Sequence, residues 1–326
     1  MTLDFWIIAT LCAAIFQTIR FTLQKILADG NLSPLGATYS RFIFAAPLIV
    51  LCGFLLLFSA DISVPDVESQ FLLFSVGGGI TQILATVCVI LVFKSRNFAV
   101  GITLKKTEVI LTALVGTLLI GEGISTISLS LICLGGLGVF FLSKKVSAVG
   151  QPNLSSINKS AFYGLSSGLL FAISAVCYRS ATLSVVSDVV YLRSGFTLLV
   201  VILVQSFVLT IWLAVFEPGQ IKLVWQERKK GIWVGITSLG GSFFWFTAFT
   251  LQNAAYVKAV GQIELIFSLL ISTLFFKDHI NAREVLGMLL ISLSALGIIL
   301  IVYLISIFFN IKNVAFFSCI LEKRHP

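Results

Sequence analysis

Within segments otherwise built from apolar residues, the chain carries seven basic side chains, Arg20, Arg41, Lys105, Lys106, Arg179, Arg193 and Lys258, and two acidic ones, Glu108 and Glu264. A charge at the middle of a bilayer costs about 2.5–3.5 kcal/mol on insertion scales, so such groups face a protein interior or a wet cavity, where they pair or bind. A cavity with seven positive groups against two negative attracts anions. The chemistry indicated is recognition of a carboxylate or phosphate, as on an amino acid, an organic acid or a related metabolite. The two glutamates allow other uses: they could carry protons, which makes protons the candidate coupling ion, or bind a cationic drug.

Spacing sorts these residues onto faces. Gln17, Arg20 and Gln24 lie at i, i+3 and i+7 and share one helix face. Turned to lipid, that stripe would be unstable; it lines a cavity or makes a polar contact between helices. Lys105 and Glu108, three apart, can pair directly. Lys106 points about 100° away, which would leave it for a substrate anion or a carboxylate elsewhere. Lys258 and Gln262 are four apart and share a face, whereas Glu264 falls about 200° round from Gln262; with Glu108 these are cavity candidates, and for Glu264 packing is the alternative. Structural ion pairing is the alternative for all three lysines. Arg41 and Arg193 stand about seven residues into their segments, where a long side chain lines a cavity or snorkels to an interface. Trp245, among Phe243, Phe244 and Phe246, offers a stacking surface; with 29 phenylalanines in the chain, ordinary lipid or helix contact is the commoner explanation of such residues.

The elements that must hold these groups are membrane helices. Hydrophobic residues make up 58% of the chain and charged residues 11%, against roughly 45–50% and 25% in soluble domains. A spanning helix takes about 20 apolar residues. Ten apolar segments are expected, at 5–27, 34–58, 70–93, 98–120, 126–143, 160–181, 188–213, 231–251, 255–276 and 284–309. Turn signals such as Asp29-Gly30-Asn31 and Glu217-Pro218-Gly219 separate them. Ser33 is an expected N-cap with Pro34 at the first helical position, and Pro47 is expected to bend its segment. Gly164-x3-Gly168 and Gly231-x3-Gly235 have the small-xxx-small spacing of close helix crossings. Glycines at 77–79, 135–138 and 240–241 suggest further crossings. Six cysteines show no CxxC spacing, and the five in apolar segments read as small buried hydrophobes, neither disulfides nor metal ligands. The opening MTLDFW lacks a basic stretch, so the first segment reads as a retained helix.

The chain repeats itself. With Ala99 set on Ala255, Glu108 falls on Glu264 and Glu122 on Asp278 without a gap; Gly79-Ile80-Thr81 falls on Gly235-Ile236-Thr237, and Asn97 on Asn253. Tyr39-Ser40-Arg41 matches Tyr191-Leu192-Arg193, and Lys25 falls near Arg179. The polar stretch 144–159 then separates a first five-helix repeat at 5–143 from a second at 160–309, with a basic tail at 310–326. Five is odd, so the second repeat enters the membrane in the opposite sense. The expected fold is an all-α integral membrane protein of ten transmembrane helices in two inverted five-helix repeats.

The five-plus-five duplication, the stretch SPLGATYSRFIFAAPLIVL with its early arginine, and the apolar helix ending in Gly121-Glu122 together resemble the EamA-type family of the drug/metabolite transporter superfamily, over roughly residues 5 to 305. The resemblance implies ten helices around a central cavity, alternating access, and transport of a small metabolite, often export, across a bacterial inner membrane. Two features depart from the family pattern. Glu108-Val109 and Glu264-Leu265 stand where relatives commonly have a proline early in the fourth span, and the Lys105-Lys106 pair is unusual.

Orientation gives two opposed readings. Loops that are odd in chain order hold Lys25, Lys94, Arg96, Lys144, Lys145, Lys159, Lys222, Arg228, Lys229, Lys230, Lys277 and Arg283, which places them in the cytoplasm and both termini outside. The resemblance implies both termini inside. Other classes fit poorly. There is no GxxxxGK[ST] loop for an ATP-driven pump. Scattered basic residues do not form a nucleic-acid stripe, and no constellation supports the rival reading of a membrane-embedded enzyme. No cofactor is implied. The expected partners are a small solute and the lipid bilayer, the chain working as a monomer or homodimer. Within transport, the alternative is a phosphate-linked or nucleotide-sugar exchanger.

Overall fold

A computed structural model describes residues 4–59, 64–95, 105, 107–143, 154–276, 282–283, 285–287, 289–301 and 304. Large apolar side chains cover the outer surface, and charged side chains lie buried within an otherwise apolar core. Leu118 is 83% exposed and Leu73 72%, whereas Arg20 is 2% exposed and Lys105 and Glu264 are 0%. An apolar exterior with its charges turned inward is what lipid, as the solvent, selects. Among the described residues five helices are long and apolar enough to cross a membrane, and shorter apolar helices accompany them.

The first helix, α1, spans Phe5–Ala28. Ser33 caps the next helix as expected, accepting from the Gly36 amide with Pro34 in the first turn. The helix breaks where Pro47 withholds an amide: α2 (Pro34–Ile43) and α3 (Ala46–Ser59) are separated at Phe44 and Ala45. The matching segment of the second half has Leu199 in place of Pro47 and runs unbroken. There follow α4 (Phe71–Ser95), α5 (Glu108–Ile120), α6 (Thr126–Ser143), α7 (Leu154–Leu183) and α8 (Val190–Phe216). Then come α9 (Pro218–Gln226), α10 (Arg228–Leu251), α11 (Ala254–Val260), α12 (Glu264–Phe276) and α13 (Val285–Ile301). Three features differ from expectation. α7 begins at Leu154, inside the stretch read as a linker. A short helix, α9, occupies part of the loop that opens with Glu217-Pro218-Gly219. Two short strands, β1 (Asp66–Val67) and β2 (Val185–Val186), pair antiparallel, so the chain is not wholly helical.

The packing has two-fold character. The broadest helix contacts are α1 with α10 and α4 with α7: in each, the first long helix of one half lies on the third of the other. An interface in which i meets j and j meets i is the signature of two-fold symmetry. The halves also run in opposite directions. Ser33, just past the end of α1, bonds Glu217 and Gln220 at one end of the bundle. The end of α7 leads into β2, which pairs with β1 at the other end.

Glycines make these crossings close. A Cβ on Gly78 of α4 would come within 2.7 Å of the Tyr178 ring on α7. One on Gly235 of α10 would stand 2.7 Å from the Phe44 backbone, at the break between α2 and α3. One on Gly241 would stand 3.2 Å from the Phe16 Cβ of α1. Gly78, Gly235 and Gly241 therefore stand at close crossings as read, whereas Gly77 meets nothing within 4 Å.

Candidate functional site

Charged and polar groups converge where the two halves meet. α1 presents Gln17, Arg20 and Gln24 on one buried face, as the i, i+3, i+7 spacing requires. The Arg20 guanidinium donates to Gln24 Oε1 at 3.4 Å and Gln17 Oε1 at 3.5 Å. Gln17 Oε1 also accepts from Trp245 Nε1 at 3.0 Å, and its amide donates to Glu264 Oε2 at 2.8 Å. Gln17 thus links α1 to α10 and α12.

Lys105 stands just before α5, held by close approach of α7: a Cβ on Gly168 would lie 3.2 Å from the Lys105 carbonyl oxygen. Its ammonium lies 3.8 Å from Glu108 Oε1 and 3.5 Å from Glu264 Oε2. Lys258 Nζ lies 3.5 Å from Glu108 Oε2. The two acids that coincide on superposing the repeats are therefore joined through Lys105, and Glu108 spans both lysines. Aromatic faces complete the setting. Phe21 lies 4.5 Å and Phe171 5.0 Å from Lys105 Nζ, and Trp245 4.5 Å from Lys258 Nζ. Such contacts strengthen when desolvated.

The position of Glu264 depends on a local irregularity. Gly261, Gln262 and Ile263 form a 3-10 turn between α11 and α12. Trp245 fills the space at Gly261, where a Cβ would meet its ring at 2.4 Å. A 3-10 turn advances three residues per turn instead of 3.6, so the helical-wheel phases do not carry through it. Of its two readings, Glu264 takes the inward one, meeting Gln17 and Lys105. Gln262 instead lies beside Gly135 of α6, at a spot also close to Ser294 of α13, and does not share the inward face with Lys258.

Arg41, just before the break in span two, also points inward. Its guanidinium donates to Ser238 Oγ at 2.7 Å, Thr86 Oγ1 at 3.3 Å and Ser242 Oγ at 3.3 Å. Its counterpart Arg193 does not join it. That side chain donates to the carbonyls of Thr182 and Leu183 at 2.9 and 3.0 Å, satisfying the open C-terminus of α7. Arg179 plays a similar part at the end of α10, donating to the Gln252 carbonyl at 2.8 Å while pairing with Glu122. Glu122 reaches Arg179 because Gly121 ends α5 in the left-handed conformation, φ 67°. Lys106 lies outside the described residues.

A cavity of about 20 Å³ lies at the centre, with Arg20, Arg41, Lys258, Gln82, Ser174 and Tyr178 among the residues of its wall. Spacing alone did not single out Gln82, Tyr178, Gln205, Ser238 or Ser242. Tyr178 donates to Gln82 Oε1 at 3.0 Å, and Gln205 donates to the same oxygen at 2.9 Å. The available signal was the one that exposed Gln17: an amide inside an apolar segment.

A family model described as the EamA-like transporter family matches residues 4–144 and 158–303, one match to each half. The chain belongs to the EamA-like transporter family. Proteins of this family are transporters, and as one of them this chain is an integral, multi-pass membrane protein of the drug/metabolite transporter superfamily with a two-repeat architecture. A solved structure titled "Crystal structure of protein" aligns with 89% of this transporter and 95% of its own chain, at a TM-score of 0.62 and 14% identity. At that identity the likeness speaks for the fold alone. No curated protein matches the chain.

Proposed function

We propose that this EamA-like transporter is a secondary-active exporter of a small anionic metabolite, an amino acid or organic acid, in a bacterial inner membrane. The observation that carries the reading is a charge balance. Arg20, Arg41 and Lys258 line the central cavity; Lys105 and the carboxylates Glu108 and Glu264 are buried beside it, so that among these described residues four cations stand against two acids. Buried charge without compensation is costly, and a bound anion would offset it.

The cavity is sized for about one water molecule, far below the roughly 300–1,000 Å³ of ligand sites. Substrate entry therefore needs the halves to part. Alternating access supplies that motion when inverted repeats rock about a site between them, here the seams of α1 with α10 and α4 with α7. Glu108 and Glu264, tied to Lys105 and Lys258 beside the cavity, are the carboxyl groups available for coupling to protons.

The test is comparative metabolite profiling of a bacterial host expressing the intact protein or its Lys258→Ala variant, K258A. Anionic solutes accumulating in the medium only with the intact protein support the reading. Unchanged medium and cell pools, or selective release of cationic solutes, would count against it. Phosphate-linked solutes that move only in exchange would favour the exchanger.

A further inference from the structure

The buried cations divide into two kinds. Lys105 and Lys258 sit within 3.5–3.8 Å of Glu108 and Glu264, so two ammonium groups face two carboxylates. The arginines differ. Among the described residues neither Arg20 nor Arg41 has an ion-pair partner. Arg41 is held by three neutral hydroxyls and Arg20 by two neutral amides. Gln17 stands as a neutral spacer, accepting from Arg20 with one end of its amide and donating to Glu264 with the other. Neutral acceptors orient a guanidinium without cancelling its charge. Both guanidiniums line the same cavity, and they reach it from different elements, α1 and the end of α2.

We propose that Arg20 and Arg41 together bind one doubly negative group, a dicarboxylate or phosphate monoester, and that the transported solute is a dianion. The inference rests on the transport reading above and narrows its substrate class. Among the described residues the four buried cations exceed the two buried carboxylates by two charges, and Arg20 and Arg41 are the cavity-wall cations whose hydrogen-bond partners are neutral. The planar fork of a guanidinium suits bidentate binding of carboxylate or phosphate. Serine and tyrosine hydroxyls at the same wall, Ser174, Ser242 and Tyr178, add neutral contacts for the rest of the solute.

The experiment compares near-isosteric pairs that differ by one charge: succinate with succinamate, and glycerol phosphate with its methyl ester. Binding to the purified full chain is read by thermal shift at a pH where the dianions are fully ionised, and transport by counterflow in proteoliposomes. The dianion of at least one pair is expected to bind about tenfold or more tightly than its partner, as loss of a charged hydrogen bond implies. Arg20→Gln and Arg41→Gln (R20Q, R41Q) are expected each to abolish that preference. Arg41→Lys retains the charge and is expected to keep the preference with weaker binding. Equal binding of both members by the wild-type chain, or binding of neither dianion, overturns the proposal whatever the variants do. Preferential dianion binding without counterflow would leave the site standing and remove the transport reading. Counterflow of monoanions with R20Q and R41Q unaffected would do the reverse.

Discussion

Replacing Lys105 by alanine removes the ammonium that joins Glu108 to Glu264 across the two halves. At an effective dielectric of 20, charges 3.5 and 3.8 Å apart attract by roughly 4.7 and 4.4 kcal/mol before desolvation is counted. The net effect is smaller, because the lysine also gave up its hydration. Breaking a buried ion pair by removing one partner typically costs about 3–5 kcal/mol, and that is the loss expected for K105A. Glu264 would keep its hydrogen bond from Gln17, and Glu108 its pairing with Lys258. Glu264→Gln in the K105A background neutralises the stranded carboxylate, so the double variant should be less destabilised than the single losses sum to, by about 1–3 kcal/mol. The assay is a double-mutant cycle on unfolding free energy in detergent micelles. A loss below about 1 kcal/mol for K105A, or additivity within about 0.5 kcal/mol, would refute the reasoning.

Three further outcomes follow from packing. Gly235→Ala drives a methyl against the Phe44 backbone, which cannot swing aside as a side-chain tip would, so a loss of about 1–3 kcal/mol is expected from thermal unfolding. Gly121→Ala places a Cβ in the left-handed region at a cost of about 1–2 kcal/mol, measurable in the same way. Glu122→Gln removes the carboxylate paired with Arg179 and is expected to cost about 1.5–3 kcal/mol, with Arg179→Met costing more in the same assay because the guanidinium also donates to the Gln252 carbonyl.

Much of the fold is legible in the sequence because lipid imposes simple rules. Apolar runs marked the helices, and Ser33-Pro34 and Pro47 marked a start and a break. Two glutamates at one register betrayed the duplication. The inward face of α1 was readable from Gln17, Arg20 and Gln24 because α1 is an uninterrupted helix, for which a wheel holds. The same logic put Gln262 on the face of Lys258 and left Glu264 between two readings, since no local pattern announces a 3-10 turn; it arises where the Trp245 ring, from another helix, occupies the space at Gly261. Equally, nothing in the matching motifs around Arg41 and Arg193 separates them. One meets hydroxyls on α4 and α10 while the other caps α7, and that difference comes from the broken second span, whose unbroken counterpart holds Arg193 near its start. Tyr178, Ser238 and Ser242 escaped notice because hydroxyls inside apolar helices more often bond their own backbone, as Thr10 does to the Trp6 carbonyl.

The central claim is that the cationic cavity between the halves carries anions across the membrane. Its most direct test is efflux from proteoliposomes loaded with a bacterial metabolite extract, with the solutes left inside identified by mass spectrometry. The account predicts that a restricted set of anionic solutes is depleted with the intact protein and retained when both Arg20 and Arg41 are changed to glutamine. Depletion of neutral or cationic solutes alone, or identical efflux from the intact and doubly substituted proteins, would contradict it.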